Sequence, residues 1–404
     1  MALVVRAGTI VTNATSVAQN GVTFDALGLI SDGAIVVHGG RILWSGRTDD
    51  LPLVYRAGDL HEYPDCVAFP GFVDAHAHPF FAGNREPDFA ARLRGQPAPL
   101  GMLHTVEATR KALEHPEDFW TKTLEPRLRR IAEHGTTTLE TKTGYALHKP
   151  GEMELLDLIH AHREQANVPR LIATFLGAHA LPPEFTDEHA YIDYLIDQCI
   201  PFAKAHGAVY ADVFCEPGFF SPPEARRYLE ASRAAGLRLR AHCDEMAYGQ
   251  AAQTATQLDV DAVDHCNYIR ETDTQVIAEK GIVLVACPTT IAYLDLARHA
   301  PVRELLALGG FVALASDYNP GTSPCFNLQT VAFHGRKIFK LTAAEALYGV
   351  TVAAARSLAV QAGTLSPGAS ADLAVLRMES PEEFGWQFGG NLAAAVYRAG
   401  TLIA

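Results

Sequence analysis

Between residues 68 and 316, short apolar runs alternate eight times with longer segments of helical pattern. The runs are rich in β-branched residues and have the length of strands, whereas the longer segments have the 3.6-residue period of amphipathic helices. Eight strand–helix units in succession predict a (β/α)8 TIM-like barrel, an α/β fold, rather than an open doubly wound sheet. The predicted barrel strands are residues 68–75, 136–141, 171–177, 210–215, 237–242, 261–265, 282–287 and 312–316.

The two ends of the chain have a different pattern. Residues 1–65 and 365–404 contain short alternating runs broken by Gly, Asn and Asp, as β-hairpins do, and they show no helical period. Because strand-rich ends flank a strand–helix middle, we expect both ends to meet in one small β-sandwich domain. The barrel then occupies residues 66–364.

Composition and charge exclude several kinds of partner. The 404 residues are 48% hydrophobic and 20% charged, which is typical of a globular protein with a sizeable core. A formal net charge of −13 argues against binding to nucleic acid or to an anionic membrane surface. No stretch approaches the roughly 18 apolar residues of a membrane span, and the opening stretch is too short for a signal peptide. Seven scattered cysteines without a C-x-x-C motif favour reduced thiols and a cytoplasmic location.

Polar residues follow most of the predicted strands at the end where such a barrel carries its active site. Six of the eight strands end in His, Asp or Glu. The first delivers two histidines two residues apart, which in a strand project from the same face. Histidine recurs at these ends and lysine is absent, which predicts a metal-assisted site. The residues concerned are His76, His78, His179, Glu216, His242, Asp244, Glu245, His265 and Asp317.

Three imidazoles and one carboxylate of this set form the predicted metal site. His76, His78, His242 and Asp317 suit a single Zn²⁺ or Fe²⁺ with one coordination position open to water. Such an ion lowers the pKa of that water and polarises a carbonyl. Hydrolysis also needs a group that carries a proton from the water to the leaving group.

Two residues are candidates for this proton transfer. Glu245 lies three residues beyond a predicted ligand, and His265 ends the next strand. Side chains of both types act as general acids or bases in enzymes.

Seven longer stretches, found in order along nearly the whole chain, carry a resemblance. With the order of histidines and aspartate at the strand ends, the chain resembles the amidohydrolase superfamily and, more narrowly, the imidazolonepropionase family. The resemblance implies hydrolysis of a five-membered cyclic amide, 4-imidazolone-5-propanoate, to N-formimino-L-glutamate in histidine degradation, and it suggests a homodimer. The stretches are PGFVDAHAHPFFAGNR, GTTTLETKTGY, TFLGAHALPPE, DVFCEPGFFS, AHCDE, DHCNY and SDYNPGTSP.

The resemblance implies the same four metal ligands and adds contacts to a small anionic heterocycle. Arg85 would offer a bidentate fork for the propanoate, and Tyr145 and His179 would hydrogen-bond the planar ring. The segment 319–323 would offer backbone N–H groups and a hydroxyl for a second carboxylate contact. The implied substrate contacts are Arg85, Tyr145, His179, Glu245, Asn319, Gly321 and Thr322.

The predicted catalytic residues are Glu245, His265 and Asp317. Asp317 and His265 would take the proton of the attacking water and hold it in line, and Glu245 would protonate the ring nitrogen as the C–N bond breaks. Lys142 lies in the family-like TKTGY stretch, so we expect one metal and no carbamylated lysine.

Two segments depart from the family pattern, and alternative functions therefore stay open. Residues 96–104 and 287–300 differ, and both are expected to wall the substrate pocket. A related cyclic ureide or amidine, or deamination of a heterocycle, would use the same metal chemistry. A non-catalytic binding protein on the same barrel is the remote alternative, which retention of every ligand and proton-transfer residue disfavours.

Overall fold

The computed structural model describes residues 2–13 and 16–404, and the strands of this part form two sheets. One is a seven-stranded mixed sheet and the other an eight-stranded parallel sheet. The strands are β1 (Leu3–Val11), β2 (Leu29–His38), β3 (Arg41–Arg47), β4 (Asp59–Pro70), β5 (Phe72–Asp74), β6 (Thr136–Lys142), β7 (Arg170–Ala178), β8 (Tyr210–Cys215), β9 (Arg238–Cys243), β10 (Ala262–His265), β11 (Val283–Ala286), β12 (Phe311–Leu314), β13 (Leu373–Arg377), β14 (Ala393–Arg398) and β15 (Thr401–Leu402).

Strands β5 to β12 form the predicted (β/α)8 barrel, with neighbours in chain order. Backbone hydrogen bonds beyond the first and last strands close it: the His78 N–H donates to the Tyr318 carbonyl, and the Asp317 N–H donates to the His76 carbonyl, each at 2.9 Å. All eight predicted strands are present. The first is shorter than predicted, because residues 67–70 pair with β13 and belong to the other sheet.

Helices lie between the barrel strands and follow the last one. No helix among the described residues is long and apolar enough to cross a membrane. The α-helices are α1 (Glu86–Leu93), α2 (Gly101–Ala112), α3 (Pro116–Phe119), α4 (Glu125–Ala132), α5 (Lys149–His162), α6 (Glu188–Tyr194), α7 (Ile200–Ala203), α8 (Pro222–Ala234), α9 (Ala251–Thr256), α10 (Glu271–Lys280), α11 (Pro288–Leu294), α12 (Val302–Ala307), α13 (Leu328–Phe339), α14 (Ala343–Tyr348) and α15 (Ala354–Ser357).

The composition of the barrel strands explains their place in the fold. Every residue of β6, β8, β10 and β11 is buried. Parallel strands are buried on both faces, since helices cover the outside and side chains fill the inside, so they need near-continuous apolar sequence. The exceptions in these strands are charged residues that point inward, and they become important at the site.

The small sheet takes strands from both ends of the chain, in the order β15-β14-β13-β4-β1-β2-β3. Only β1 and β4 pair in parallel. The sheet folds back on itself at its edge, where the Ile42 N–H of β3 donates to the Ala369 carbonyl at 3.0 Å. Side chains from β1, β2, β3, β4, β13 and β14 share one core within it.

The N-terminal region is not confined to this sheet. β4 runs through the predicted domain boundary at residue 65, and residues 19–27 pack against the barrel. There the Gln19 side chain pairs with both the N–H and the carbonyl of Val312 at the start of β12. Residues 1, 14 and 15 of the predicted small domain lie outside the described residues.

Candidate active site

Most of the predicted site residues line one cavity of about 220 Å³ at the C-terminal end of the barrel strands. His76 lies fully buried beneath it, with its ring centroid 4.5 Å from that of His242. The predicted site residues that line the cavity are His78, Arg85, Tyr145, His179, His242, Glu245, His265, Asp317, Asn319 and Thr322.

Three of the predicted metal ligands form one cluster of ligand atoms. The donor atoms of His76, His78 and His242 all lie within 4.8 Å of one another. The Nε2 atoms of His76 and His78 are 3.3 Å apart, and each is 3.5 Å from Asp317 Oδ1. Burial lowers the pKa of all three histidines well below its usual value, so the imidazoles are neutral and carry the lone pairs that a metal requires.

Two buried carboxylates fix the tautomers of two of these histidines. The His76 Nδ1–H donates to Asp264 at 2.7 Å, and the His242 Nδ1–H donates to Asp212 at 3.1 Å. Each Nε2 is therefore left as a bare lone pair, and carboxylates in this position commonly orient metal-binding histidines. Facing lone pairs of neutral imidazoles beside a carboxylate have no proton to share. This donor set therefore fits a divalent cation.

Lys142 lies below this cluster, enclosed by acidic groups. Its Nζ is 2.8 Å from Glu140, 2.7 Å from Asp212 and 3.6 Å from Asp264. Burial and the neighbouring Arg240 lower the pKa of Lys142, but the carboxylates outweigh both and leave it raised. A charged ammonium held in this way is a poor carbamylation site, which supports the prediction of a single metal without a carbamate.

The Asp212 contact leads to a testable prediction. Asp212→Asn is expected to weaken metal affinity by about 10–100-fold, since carboxylates that orient a ligating histidine typically contribute that much. Chelator competition measures the affinity, with Asp261→Asn, at the partly exposed Arg238 ion pair, as the matched control. A folded Asp212→Asn protein with the affinity of the control would contradict this role.

The predicted catalytic residues form a second cluster beside the first. Ligand atoms of Glu245, His265 and Asp317 lie within 4.8 Å of one another, and Glu245 Oε1 is 3.9 Å from His265 Nδ1. Both oxygens of Asp317 accept hydrogen bonds: Oδ2 from Thr290 Oγ1 at 2.6 Å, and Oδ1 from Asn319 Nδ2 at 3.1 Å. The aspartate is thus held where its Oδ1 also faces the imidazoles.

Burial sets the protonation of this second cluster. It raises the pKa of Glu245 well above its usual value, with the charges of Asp317 and Glu216 acting in the same direction. It raises the pKa of Asp317 to about 7 and lowers that of His265 to about 4. A carboxylic acid and a neutral imidazole side by side can exchange a proton in either direction.

The loop that carries Glu245 is fixed by the end of the preceding strand. Glu216 accepts hydrogen bonds from the backbone N–H groups of residues 245, 246 and 247 at 2.8–3.0 Å. Asp244 likewise accepts from the N–H groups of residues 249, 251 and 252. Both predicted strand-end acids thus shape the loop rather than contact the cavity cluster.

Backbone strain marks the same strand ends. His265 and Asp317 have φ of +65° and +49°, values that side-chain-bearing residues rarely adopt. Each costs about 1–3 kcal/mol, and such residues concentrate at functional sites. The strained backbone turns both side chains toward the cavity, where Asp317 meets Glu245 and the imidazoles.

Arg85 enters the cavity from the loop after β5, as predicted. Its Nε donates to Asp88 at 2.7 Å, and Asp88 also accepts from the N–H groups of Leu100 and Gly101 at 2.8 and 3.1 Å. A side chain at Gly321 would collide with Nη1 of Arg85. Asp88 and Gly321 therefore fix the guanidinium from two sides.

The segment after β12 corrects one prediction. The N–H groups of Gly321 and Thr322 donate to Asn319 Oδ1 at 2.9 and 2.8 Å. The prediction that they serve a substrate carboxylate is therefore wrong, because asparagine side chains cap their own turn. Thr322 still lines the cavity, whereas the role of Gly321 is to leave room for Arg85.

The two predicted ring contacts lie on the opposite flank of His78. The His179 Nδ1–H donates to the Gly144 carbonyl at 2.9 Å, and its ring stacks on His78 at 5.2 Å. Burial lowers the pKa of His179 to about 4, so its Nε2 accepts hydrogen bonds. Tyr145 lies 5.2 Å from His179. Together they offer one acceptor and one hydroxyl.

The atypical segments do not both wall the cavity. Met102, from residues 96–104, lines it, but none of residues 287–300 does. That part of the prediction is wrong, because α11 packs behind the aspartate, where Thr289 donates to the Ser316 carbonyl. Cys287, which was not predicted, has its sulfur in one cluster with His76 and His265. The other unpredicted cavity residues are Phe214, Phe219 and Met246.

Comparison with known proteins gives one family and one fold. A model of the amidohydrolase family matches residues 67–399. The imidazolonepropionase of Sphingopyxis alaskensis is 37% identical, over 91% of this chain and 92% of the relative, and that of Ralstonia nicotianae is 37% identical, over 93% and 94%. The structure of E. coli guanine deaminase gives a TM-score of 0.74 at 18% identity, over 100% of this chain and 98% of that one. At that identity the likeness shows the fold alone.

Proposed function

The chain belongs to the imidazolonepropionase branch of the amidohydrolase family, and from that premise we propose that it hydrolyses 4-imidazolone-5-propanoate to N-formimino-L-glutamate. It is a hydrolase of carbon–nitrogen bonds in cyclic amides. One observation carries the choice of substrate: Arg85, fixed by Asp88 and seated against Gly321, lines the same small cavity as the imidazole cluster and Glu245. A small ring with one carboxylate arm satisfies both ends of that cavity.

The residues fit one divalent ion, and we propose Zn²⁺ or Fe²⁺. His76, His78, His242 and Asp317 would hold it, since this donor set is acceptable to both metals. When bound, the ion would lower the pKa of a water and polarise the ring carbonyl.

The side chains supply binding and proton transfer. Arg85 binds the propanoate and thereby aligns the ring, which converts binding energy into orientation. Asp317 and His265 accept the proton of the attacking water. Glu245, kept protonated by its raised pKa, donates to the ring nitrogen as the C–N bond breaks, so that the amine leaves neutral.

Substitution of the arginine tests the substrate. Arg85→Ala is expected to raise KM by about 30-fold, or about 2 kcal/mol, because a charged hydrogen-bonded pair is lost while the reacting groups remain. Arg85→Lys should restore part of the loss, since an ammonium cannot form the fork. Steady-state kinetics on 4-imidazolone-5-propanoate measures both, and Arg94→Ala, at an exposed arginine that pairs with Gln96, is the matched control.

An uncharged analogue completes the test. Its kcat/KM in the wild type should be as low as that of the acid in Arg85→Ala. Equal turnover of the ring without its carboxylate would rule out this role of Arg85 and reopen the neutral cyclic ureides and aminated heterocycles.

Two further proposals concern assembly and location. The seven cysteines are all free, which supports a reducing, cytoplasmic location. The homodimer suggested by the resemblance stays a prediction, and analytical ultracentrifugation checks it.

A further inference from the structure

A second, larger cavity lies beside the candidate active site. It measures about 450 Å³ and is lined mainly by the segment 215–222, together with Leu181, residues 186–188 and Gly249. Its carboxylates are engaged by backbone groups: Glu188 accepts from the Ser221 N–H at 2.8 Å, and Glu216 holds the Glu245 loop. The cavity therefore offers mainly apolar surface.

Phe219 separates this outer cavity from the active-site cavity. Among the described residues, it is the one side chain that lines both. Its ring packs against Phe214 with centroids 4.3 Å apart, and Phe214 in turn lies 5.5 Å from His242 and 6.2 Å from His179. One phenyl ring thus stands between the imidazole cluster and the outer space.

The backbone holds Phe219 in this position. The Phe219 N–H donates to the Glu216 carbonyl at 2.9 Å, closing a turn in which Gly218 adopts a φ of +92°. The Phe220 N–H donates to the Phe214 carbonyl at 3.3 Å, and the Phe220 side chain is buried. Both ends of the turn are anchored, so the ring is a fixed wall.

The position of this wall determines which side of a substrate meets it. Arg85 follows the first barrel strand and Asn319 the eighth, whereas Phe214 ends the fourth. The first and eighth strands are neighbours in the closed barrel, and the fourth lies across from them. A ring whose carboxylate is bound by Arg85 therefore presents its far edge to Phe214 and Phe219.

We infer that Phe219 determines substrate size, and that the outer cavity is an unused subsite for an apolar substituent on the ring edge opposite the carboxylate. The inference rests on the proposed function for the orientation of the ring. Phe219→Ala joins the two cavities, so that a cyclic amide with an alkyl or aryl group on the carbon between its ring nitrogens enters the site.

Two probes without a hydrolysable amide test this inference by binding. They are imidazole-4-propanoate and its 2-benzyl derivative, and isothermal titration gives Kd for each. In Phe219→Ala the ratio of the benzyl Kd to the parent Kd should fall by at least about 10-fold, since apolar pockets discriminate by about 10–200-fold per methylene-sized group. Phe219→Leu should give an intermediate ratio. Leu181→Ala, which enlarges only the outer cavity, should keep the ratio of the wild type.

A crystal structure of Phe219→Ala completes the test. A continuous cavity is expected, and two cavities that stay separate would overturn the inference, as would an unchanged ratio or an equal change in Leu181→Ala. Failure of the proposed function shows elsewhere, as wild-type protein that binds metal but does not hydrolyse 4-imidazolone-5-propanoate.

Discussion

Glu245→Gln is expected to lower kcat by about 10²–10⁴-fold with little change in KM, because general acid–base groups contribute about that much to the transition state alone. Glutamine keeps the shape of the side chain and removes the proton that the leaving nitrogen needs. The contact with His265 at 3.9 Å and the hold of Glu216 on the loop place no demand on that proton. Metal content should therefore stay at the wild-type level.

The pH profile distinguishes this role from a structural one. The pKa of Glu245 is raised by burial first, and then by the charges of Asp317 and Glu216. Because the protonated form is the active one, kcat should fall as the pH rises through that pKa. The basic limb should disappear in Glu245→Gln, whereas Glu230→Gln, at an exposed position, should retain it. A metal-loaded Glu245→Gln enzyme with near-normal kcat would place the proton donor elsewhere.

The barrel was predictable because its strands must be apolar on both faces. Runs such as those at β8 and β11 have no alternative use in a chain with helical segments between them. The first strand was misjudged because one apolar run, residues 67–74, serves two sheets in succession. Apolar character alone cannot show where a chain leaves one sheet for the next.

The residues around the metal cluster left a signal that the strand-end reasoning did not use. Glu140 and Lys142 lie two apart in an otherwise neutral strand, and so do Arg240 and His242. Two-residue spacing directs each pair inward, and a charge in an apolar run is buried only with partners. Asp264, one residue before His265, belongs to the same pattern.

Other parts of the site left no such signal. Asp88 is one of two acids in the first turn of α1, and its grip on Arg85 depends on how the chain returns at Leu100. The self-capping of Asn319 and the wall formed by Phe219 likewise depend on turns whose geometry only the folded chain defines.

His242→Ala is expected to lower metal content well below one ion per chain and to reduce turnover with it. The substitution removes one of three converging imidazoles and leaves Asp212 with Lys142 as its remaining charged neighbour at 2.7 Å. The loss of affinity should exceed the roughly 10–100-fold expected for Asp212→Asn, since a ligand matters more than the group that orients it. Elemental analysis after dialysis measures this, with His189→Ala, at an exposed histidine, as the control.

Added imidazole separates loss of a ligand from loss of the fold. Because Asp212 and the cavity both remain, free imidazole can occupy the vacated space and donate to Asp212 as His242 does. Metal content and part of the turnover should return with imidazole in His242→Ala and stay unchanged in His189→Ala. Full metal occupancy in His242→Ala without imidazole, or two ions per wild-type chain, would contradict a single site built on these histidines.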